Sequence, residues 1–142
     1  MMLVARVGTV VCAVSVGHVI ETMRPLPITP VGGMPPFVAG LAIVRGTPIP
    51  VVHAAVLLGG IATTGSRFVI LRCGSRRVAL IVDAVLDVRT IEPSALAALP
   101  PLLAGSTELA TAIGALDAEL VVVLDASRLL PIETWNALEA SA

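Results

Sequence analysis

Phe37-Val-Ala-Gly-Leu-Ala-Ile-Val-Arg-Gly-Thr-Pro-Ile-Pro-Val-Val-His-Ala-Ala-Val-Leu-Leu-Gly59 sets two short runs rich in β-branched residues, Leu41 to Val44 and Ile49 to Val52, on either side of Arg45-Gly46-Thr47-Pro48. The simplest local reading is a tight β-hairpin across those four residues. Arg45 then stands exposed at the shoulder of the hairpin, and no other Arg, Lys, Asp or Glu occurs between Arg24 and Arg67. An isolated guanidinium at a tight turn in so apolar a stretch is either a solubilising tip or a partner's anchor, and spacing leaves both open. Beyond Val52, Ala54 to Leu58 can wind into one or two helical turns, stopped by Gly59-Gly60 at a natural C-terminal position.

The same strand-and-turn grammar extends in both directions. Leu3 to Val7 and Val10 to Val16 read as a hairpin across Gly8-Thr9, and Gly17 to Glu21 as a short turn or helical passage in which His18 is solvated. Pro25, Pro27, Pro30, Pro35 and Pro36, with Gly32-Gly33, forbid helix, while Leu26, Ile28 and Val31 alternate as a half-buried strand does. Ile61 to Ser66, small and polar, is the best candidate for a link between two halves. Arg67 to Cys73 and Arg76 to Val82 form a further hairpin across Gly74-Ser75, and Val85 to Ile91 continues extended. Asp83 and Asp87 are then turn or surface carboxylates rather than a metal pair. Pro93-Ser94 opens a turn around Ala95 to Leu99 that Pro100-Pro101 ends, and Ile113 to Asp117 is a strand running into a turn. Leu120 to Leu124 is a strand buried on both faces. Asp125 to Leu130 gives a short helical turn, and Pro131 opens a terminal helix carrying Trp135 and Leu138 as an apolar stripe. Ile49 to Leu58 and Leu120 to Leu130 echo one another, each running from an apolar strand toward paired leucines, which points to two related halves. Short strands separated by Gly, Pro and Asp turns, with no long helical period, indicate an all-β barrel class.

Composition narrows the function. The chain has 142 residues, 56% of them hydrophobic and 13% charged, with a mean hydropathy of +0.99. That is one domain's worth of chain, or two very small cores sharing an interface. The longest uncharged windows, Pro25 to Val44 and Gly46 to Ser66, reach spanning length, but their prolines and glycines exclude an unbroken membrane helix. The opening Met1 to Arg6 has no basic stretch before an apolar core, so a cytoplasmic location is expected, with no direct membrane insertion. All nine basic residues are Arg and the net charge is −1. No basic stripe exists to bind nucleic acid, and with no Tyr, two Phe and one Trp base stacking is poorly supplied. Cys12 and Cys73 are isolated thiols, read as buried free cysteines. No phosphate-cradling Gly-Lys loop and no Gly-x-Ser-x-Gly elbow occurs, and two His, two Cys and scattered carboxylates specify neither a metal site nor an acid–base pair. A non-enzyme without cofactor or metal is expected.

Phe-Val-x-Gly-x-x-x-x-Arg-Gly-x-x-Ile-Pro-Val-Val over Phe37 to Val52, followed by Leu57-Leu58-Gly59, resembles the signature of CheW-like chemotaxis coupling domains. Val19-Ile20-Glu21 with Pro25 to Pro36 resembles the family's segment before the signature, and Arg77 to Val88 its second-barrel strand pair. Leu99 to Leu103, Ala112 to Asp117 and Leu120 to Asp125 with Leu129-Leu130 complete the order over nearly the whole chain. The resemblance implies one CheW-like domain over 1–142, built as two five-stranded SH3-like barrels on a shared apolar interface, with 1–66 as the first barrel and 67–135 as the second. It implies a scaffold that couples the cytoplasmic tip of a chemoreceptor to the regulatory domain of a CheA-type histidine kinase. Arg45, Glu21, Val19 and Gly46 fall at receptor-contact positions, with Gly46 keeping the turn and Gly40 the close approach before it. Ala54-Ala55-Val56 replaces what is often a basic helical turn, and His53 stands where an Asp is common. An exposed apolar patch for the kinase is therefore expected at Ala54 to Leu58, centred on Val56, with Val85 and Leu86 second. The alternative from the composition is a small barrel carrying an apolar ligand, although five-stranded barrels are generally filled by their own side chains.

Overall fold

The computed structural model of the protein describes residues 1–62, 65–91, 96–97, 110–116, 119–126 and 129–141. In chain order the strands are β1 (Met2–Val7), β2 (Val10–Ser15), β3 (Val19–Met23), β4 (Val38–Val44), β5 (Thr47–His53), β6 (Arg67–Cys73), β7 (Arg76–Val82), β8 (Ala84–Arg89), β9 (Leu96–Ala97), β10 (Ala110–Leu116) and β11 (Glu119–Leu124). Helix α1 (Ala54–Leu57) follows β5, and α2 (Ile132–Ser141) begins directly after Pro131, where a residue with fixed φ suits a first helical turn. The expected hairpins across Gly8-Thr9 and Gly74-Ser75 are present, with Val7 opposite Val10 and Cys73 opposite Arg76. Of the turn expected around Ala95 to Leu99, Leu96–Ala97 form β9; Pro93, Ser94, Ala95, Leu99, Pro100 and Pro101 lie outside the described residues, as does Asp117.

Two sheets result, and they repeat one pattern. One has the order β3-β6-β7-β5-β4, the other β8-β1-β2-β11-β10-β9. In the first, β3–β6, β6–β7 and β5–β4 are antiparallel and β7–β5 is parallel. In the second, β8–β1, β1–β2 and β10–β11 are antiparallel and β2–β11 is parallel, so the leading five strands match position for position, with β9 as a short addition. The echo between Ile49 to Leu58 and Leu120 to Leu130 has its structural basis here, since β5 and β11 each enter as the parallel member of their sheet. The linear division between 66 and 67 does not follow the sheets. β6 and β7 join the sheet of β3 to β5, and the second sheet is assembled from both ends of the chain around that central unit.

Alternation along the strands explains the high apolar content. Phe68 and Ile70 of β6, Ala79 and Ile81 of β7, and Ile49 and Val51 of β5 fill one core, while Val69, Leu71, Val78, Leu80, Val82 and Val52 point to the other side. There they meet Leu3, Ala5 and Val7 of β1, Cys12 and Val14 of β2, and Trp135 and Leu138 of α2. Val4, Val11, Ala13 and Val121 fill the core of the second sheet. Both faces of these strands are therefore removed from water, one into the unit's own core and one into a shared interface, which requires near-continuous apolar strands. Phe68 at 0% exposure and its neighbours occupy the interior where an apolar ligand would have to sit, so the ligand-carrying alternative gains no support.

The first sheet closes on itself. β3 and β4 are its opposite edges, yet Ile20 and Met23 of β3 pack on the same core as Ala42 and Val44 of β4. Thr29, on the segment that leads from β3 to β4, pairs with β4, its N–H donating to the Leu41 carbonyl at 2.8 Å and its carbonyl accepting from the Leu41 N–H at 2.9 Å. Gly40, at a bulge in β4 with φ of 145°, makes that approach possible, because a Cβ there would run into the Thr29 carbonyl. Gly40→Ala is thus expected to lower stability by at least about 1–3 kcal/mol, backbone strain adding to the clash with the Thr29 carbonyl, read as a fall in melting temperature. An unchanged melting temperature would remove the close approach from this account.

Candidate functional site

The signature hairpin turns more tightly than a four-residue loop. Val44 pairs directly with Thr47, leaving Arg45-Gly46 as the two-residue connection, and Thr47 and Pro48 belong to β5. Both turn residues have positive φ, 49° at Arg45 and 81° at Gly46, the conformation that matches the twist of paired strands and normally selects Asn-Gly. Arg45 is the one non-glycine residue with positive φ among the described residues. A bulky side chain held in that region marks a position where something besides turn preference set the residue.

Closure of the barrel brings Arg45 to Glu21 of β3. Nε donates to Glu21 Oε2 at 2.7 Å and Nη2 to Oε1 at 2.8 Å, a two-pronged pair across 24 positions of sequence. The Arg45 side chain remains 70% exposed and that of Glu21 24%. This contact occupies one edge of the planar guanidinium and leaves Nη1 and the outer Nη2 proton toward solvent, a second donor edge suited to a carboxylate or carbonyl. Arg45's hydrogen bonds hold the Glu21 carboxyl below the usual carboxylate range against an opposing effect of desolvation, with the charges of Arg45 and Arg77 adding to the lowering; Glu21 in turn raises Arg45. A carboxyl lowered in the folded state adds stability above its unfolded pKa, and that stability is lost as pH falls through the lower folded value. The melting difference between the wild type and Glu21→Gln should accordingly be small and constant at neutral pH, begin to shrink near the unfolded carboxylate value of about 4.3, and disappear only below the lower folded value. A difference that grows toward acid would contradict the pair.

Of the other positions that the resemblance places at a receptor contact, Gly46 is exposed at the turn, and Val19 begins β3, half-buried against the shared core. The positions expected at a kinase contact differ in exposure. Ala54, Ala55 and Leu57 are 0%, 9% and 5% exposed and form part of the shared interface, so most of the patch expected at Ala54 to Leu58 is interior, with Val56 and Leu58 half-buried. Dual-face burial of the adjoining strands draws this uncharged turn inward. Val85 is also half-buried, whereas Leu86 is 46% and Val88 43% exposed on β8, the outer edge of the other sheet.

A further apolar surface lies beside the turn. On β4, Ala42 and Val44 point inward, which sends Ile43 outward at 60% exposure, opposite Pro48 on β5. Ile43, Leu41, Pro48, Leu26, Pro27 and Thr29 line an open cleft of about 430 Å³. The signal was present in the sequence: once the turn is two residues long, the parity of Ile43 is fixed by that of Val44.

The remaining candidates are structural. Burial pushes the Cys12 thiol up to about 12, and burial with the nearby Asp125 charge pushes Cys73 to about 11; both are free, and Cys73 Sγ donates to the Ala126 carbonyl at 2.8 Å. Thiols so protonated are poor nucleophiles. His18 is exposed in the Val16–His18 turn, while His53 is half-buried at the end of β5 and its pKa is lowered by that burial. Asp83 Oδ2 accepts the Gly8 N–H at 2.6 Å, tying the β1–β2 turn to the β7–β8 junction. Among the described residues no cluster of His, Cys, Asp and Glu could hold a metal ion, and no helix is long and apolar enough to cross a membrane.

Two repeated five-stranded units, a shared apolar interface and the Arg45-Gly46 turn agree with a comparison against known families, in which the pattern of the CheW-like domain matches residues 1–133. The chain belongs to the CheW-like domain family. The crystal structure of the scaffolding protein TtCheW from Thermoanaerobacter tengcongensis is similar, with a TM-score of 0.82 and 22% identity, over 94% of this chain and 88% of that one. At that identity the likeness speaks for the CheW-like architecture of paired SH3-like barrels. Chemotaxis protein CheW of Klebsiella aerogenes is 28% identical over 110 residues, spanning 75% of this chain and 66% of its own length.

Proposed function

We propose that the protein is a non-catalytic cytoplasmic scaffold that couples the tips of chemoreceptors to a CheA-type histidine kinase in a chemosensory array. The observation that carries the reading is Arg45: exposed, in a conformation that disfavours it, and gripped on one edge by Glu21 so that the other edge faces outward. A partner meeting a guanidinium already fixed in place loses less side-chain freedom on binding than one meeting a mobile arginine. Arg45 and Glu21 form the centre of the receptor contact in this reading, with Val19 and Gly46 at its margin. Family membership and the names of the relatives, a chemotaxis protein and a scaffolding protein, agree with it. Immobilised protein should retain both a receptor cytoplasmic fragment and a CheA-type kinase; retention of neither would overturn the reading.

For the kinase, Leu86 on the exposed edge strand is the strongest of the named positions, supported by Val88 beside it. Val85 and Val56, both half-buried, contribute less area. Apolar burial then dominates that contact, so affinity should change little as salt rises, and Leu86→Asp should weaken it about tenfold. Calorimetric titration that shows affinity collapsing with salt, or normal binding by both Leu86→Asp and Val56→Asp, would dismiss this surface.

A further inference from the structure

Arg72 on β6 and Arg77 on β7 are direct cross-strand partners in the antiparallel ladder, and both are exposed. Directly opposed side chains stand within about 5.5 Å at Cβ, where like charges destabilise the pairing. Among the described residues neither arginine has a carboxylate at ion-pair distance; the salt bridges at this end of the barrel are Arg45 with Glu21 and Arg76 with Glu139. The alternation that sends Phe68, Ile70, Ala79 and Ile81 into the barrel core puts Arg72 and Arg77 on the same face, at its rim.

The rim is shared with the Arg45 turn. β5 and β7 run parallel with Val51 beside Ala79, and Thr47 at the start of β5 and Ser75 in the turn before β7 line one cleft of about 300 Å³ together with Arg77. Arg77 lies near enough to Glu21 to lower its pKa further. Both Glu21 oxygens are hydrogen-bonded to Arg45, so Arg77 feels that carboxylate only through space, and neither Arg72 nor Arg77 forms an ion pair among the described residues. The cleft alongside is walled by Leu41, Pro48, Trp135 and Leu138, with Arg76 stacked over the Trp135 ring at 5.1 Å. Forked guanidinium donors next to apolar walls fit carboxylates interspersed with bulky apolar side chains. An extended phosphate backbone needs a basic track, which this local pair does not supply.

We propose that the Arg72–Arg77 rim is a docking point for an acidic segment of a partner protein, its carboxylates bridging the two guanidiniums. The pair is then a local frustration that binding relieves, and the unbound protein is less stable for carrying it. The test uses the full chain labelled with ¹⁵N and an oligoglutamate peptide as probe, with inorganic phosphate and a charge-matched oligothymidylate as controls. The peptide should shift the amides of Leu71 to Val78, and its affinity should fall about tenfold in Arg72→Glu and with salt raised from about 0.05 M to 0.3 M. Arg72→Glu, which puts opposite charges across the ladder, should also melt at a higher temperature than the wild type. Arg72→Gln should do the same to a lesser degree and also bind less. A lower melting temperature in both variants would remove the frustration. Peptide binding unaffected by Arg72→Glu, or oligothymidylate or phosphate binding as tightly as the peptide, would overturn the docking assignment.

Discussion

Arg45→Glu is expected to weaken association with a chemoreceptor cytoplasmic fragment about a hundredfold, while the melting temperature moves by about 3 °C or less. The two effects separate because the Arg45 side chain is 70% exposed, where a charge pair contributes little to folding, whereas the same guanidinium inside a partner's desolvated contact contributes far more. The reversed charge also faces Glu21, so two carboxylates would repel at the rim. The charge-swapped double variant, Arg45→Glu with Glu21→Arg, distinguishes the two roles. It should recover the melting temperature through a re-formed pair and leave binding lost, because the outward donor edge is then on the wrong strand. Recovery of binding in the double variant would mean that the pair itself, rather than the arginine's outer edge, is what the receptor needs.

Leu80→Ala should be the most damaging of the simple truncations, lowering stability by about 2–5 kcal/mol. Leu80 is 1% exposed and sits in the interface where β5, β6 and β7 of one sheet meet β1, β2 and α2 of the other. A cavity there loosens both units at once, so urea unfolding should remain a single transition shifted to lower denaturant with its slope unchanged. Ile43→Ala, which removes an outward side chain 60% exposed, should change the unfolding free energy by less than about 0.5 kcal/mol. Two resolved transitions in Leu80→Ala would show that the sheets fold separately and that the shared core does not couple them.

The local elements were legible and the long-range ones were not. Hairpins across Gly8-Thr9 and Gly74-Ser75 follow from paired apolar runs and turn residues within a few positions of one another, as does the hairpin at Arg45, although its turn is two residues long and not the four from Arg45 to Pro48. The pairing of β5 with β7 across α1 is parallel and leaves no local mark, and for that reason the dividing line at 66 missed that β6 and β7 belong to the central sheet. The apolar segment Ala54 to Leu58 looked like a surface patch because it lacks charges; its burial depends on strands covered on both faces, a property of the assembled sheets. Arg45 stood out as an isolated charge at a turn and Glu21 through the resemblance, but their contact exists because the edges β3 and β4 are brought together by closure of the barrel. Ile43 was legible in principle, since its outward direction follows from the length of the turn.

Titration of the ¹⁵N-labelled protein with a chemoreceptor cytoplasmic fragment tests the proposed coupling role most directly. The largest amide shifts are expected at Val19 to Glu21 and Val44 to Thr47, with those at Leu86 to Val88 appearing when the kinase regulatory domain is added instead. Receptor-induced shifts confined to other segments, or the same shifts persisting in Arg45→Glu, would contradict a receptor contact centred on the Arg45–Glu21 pair.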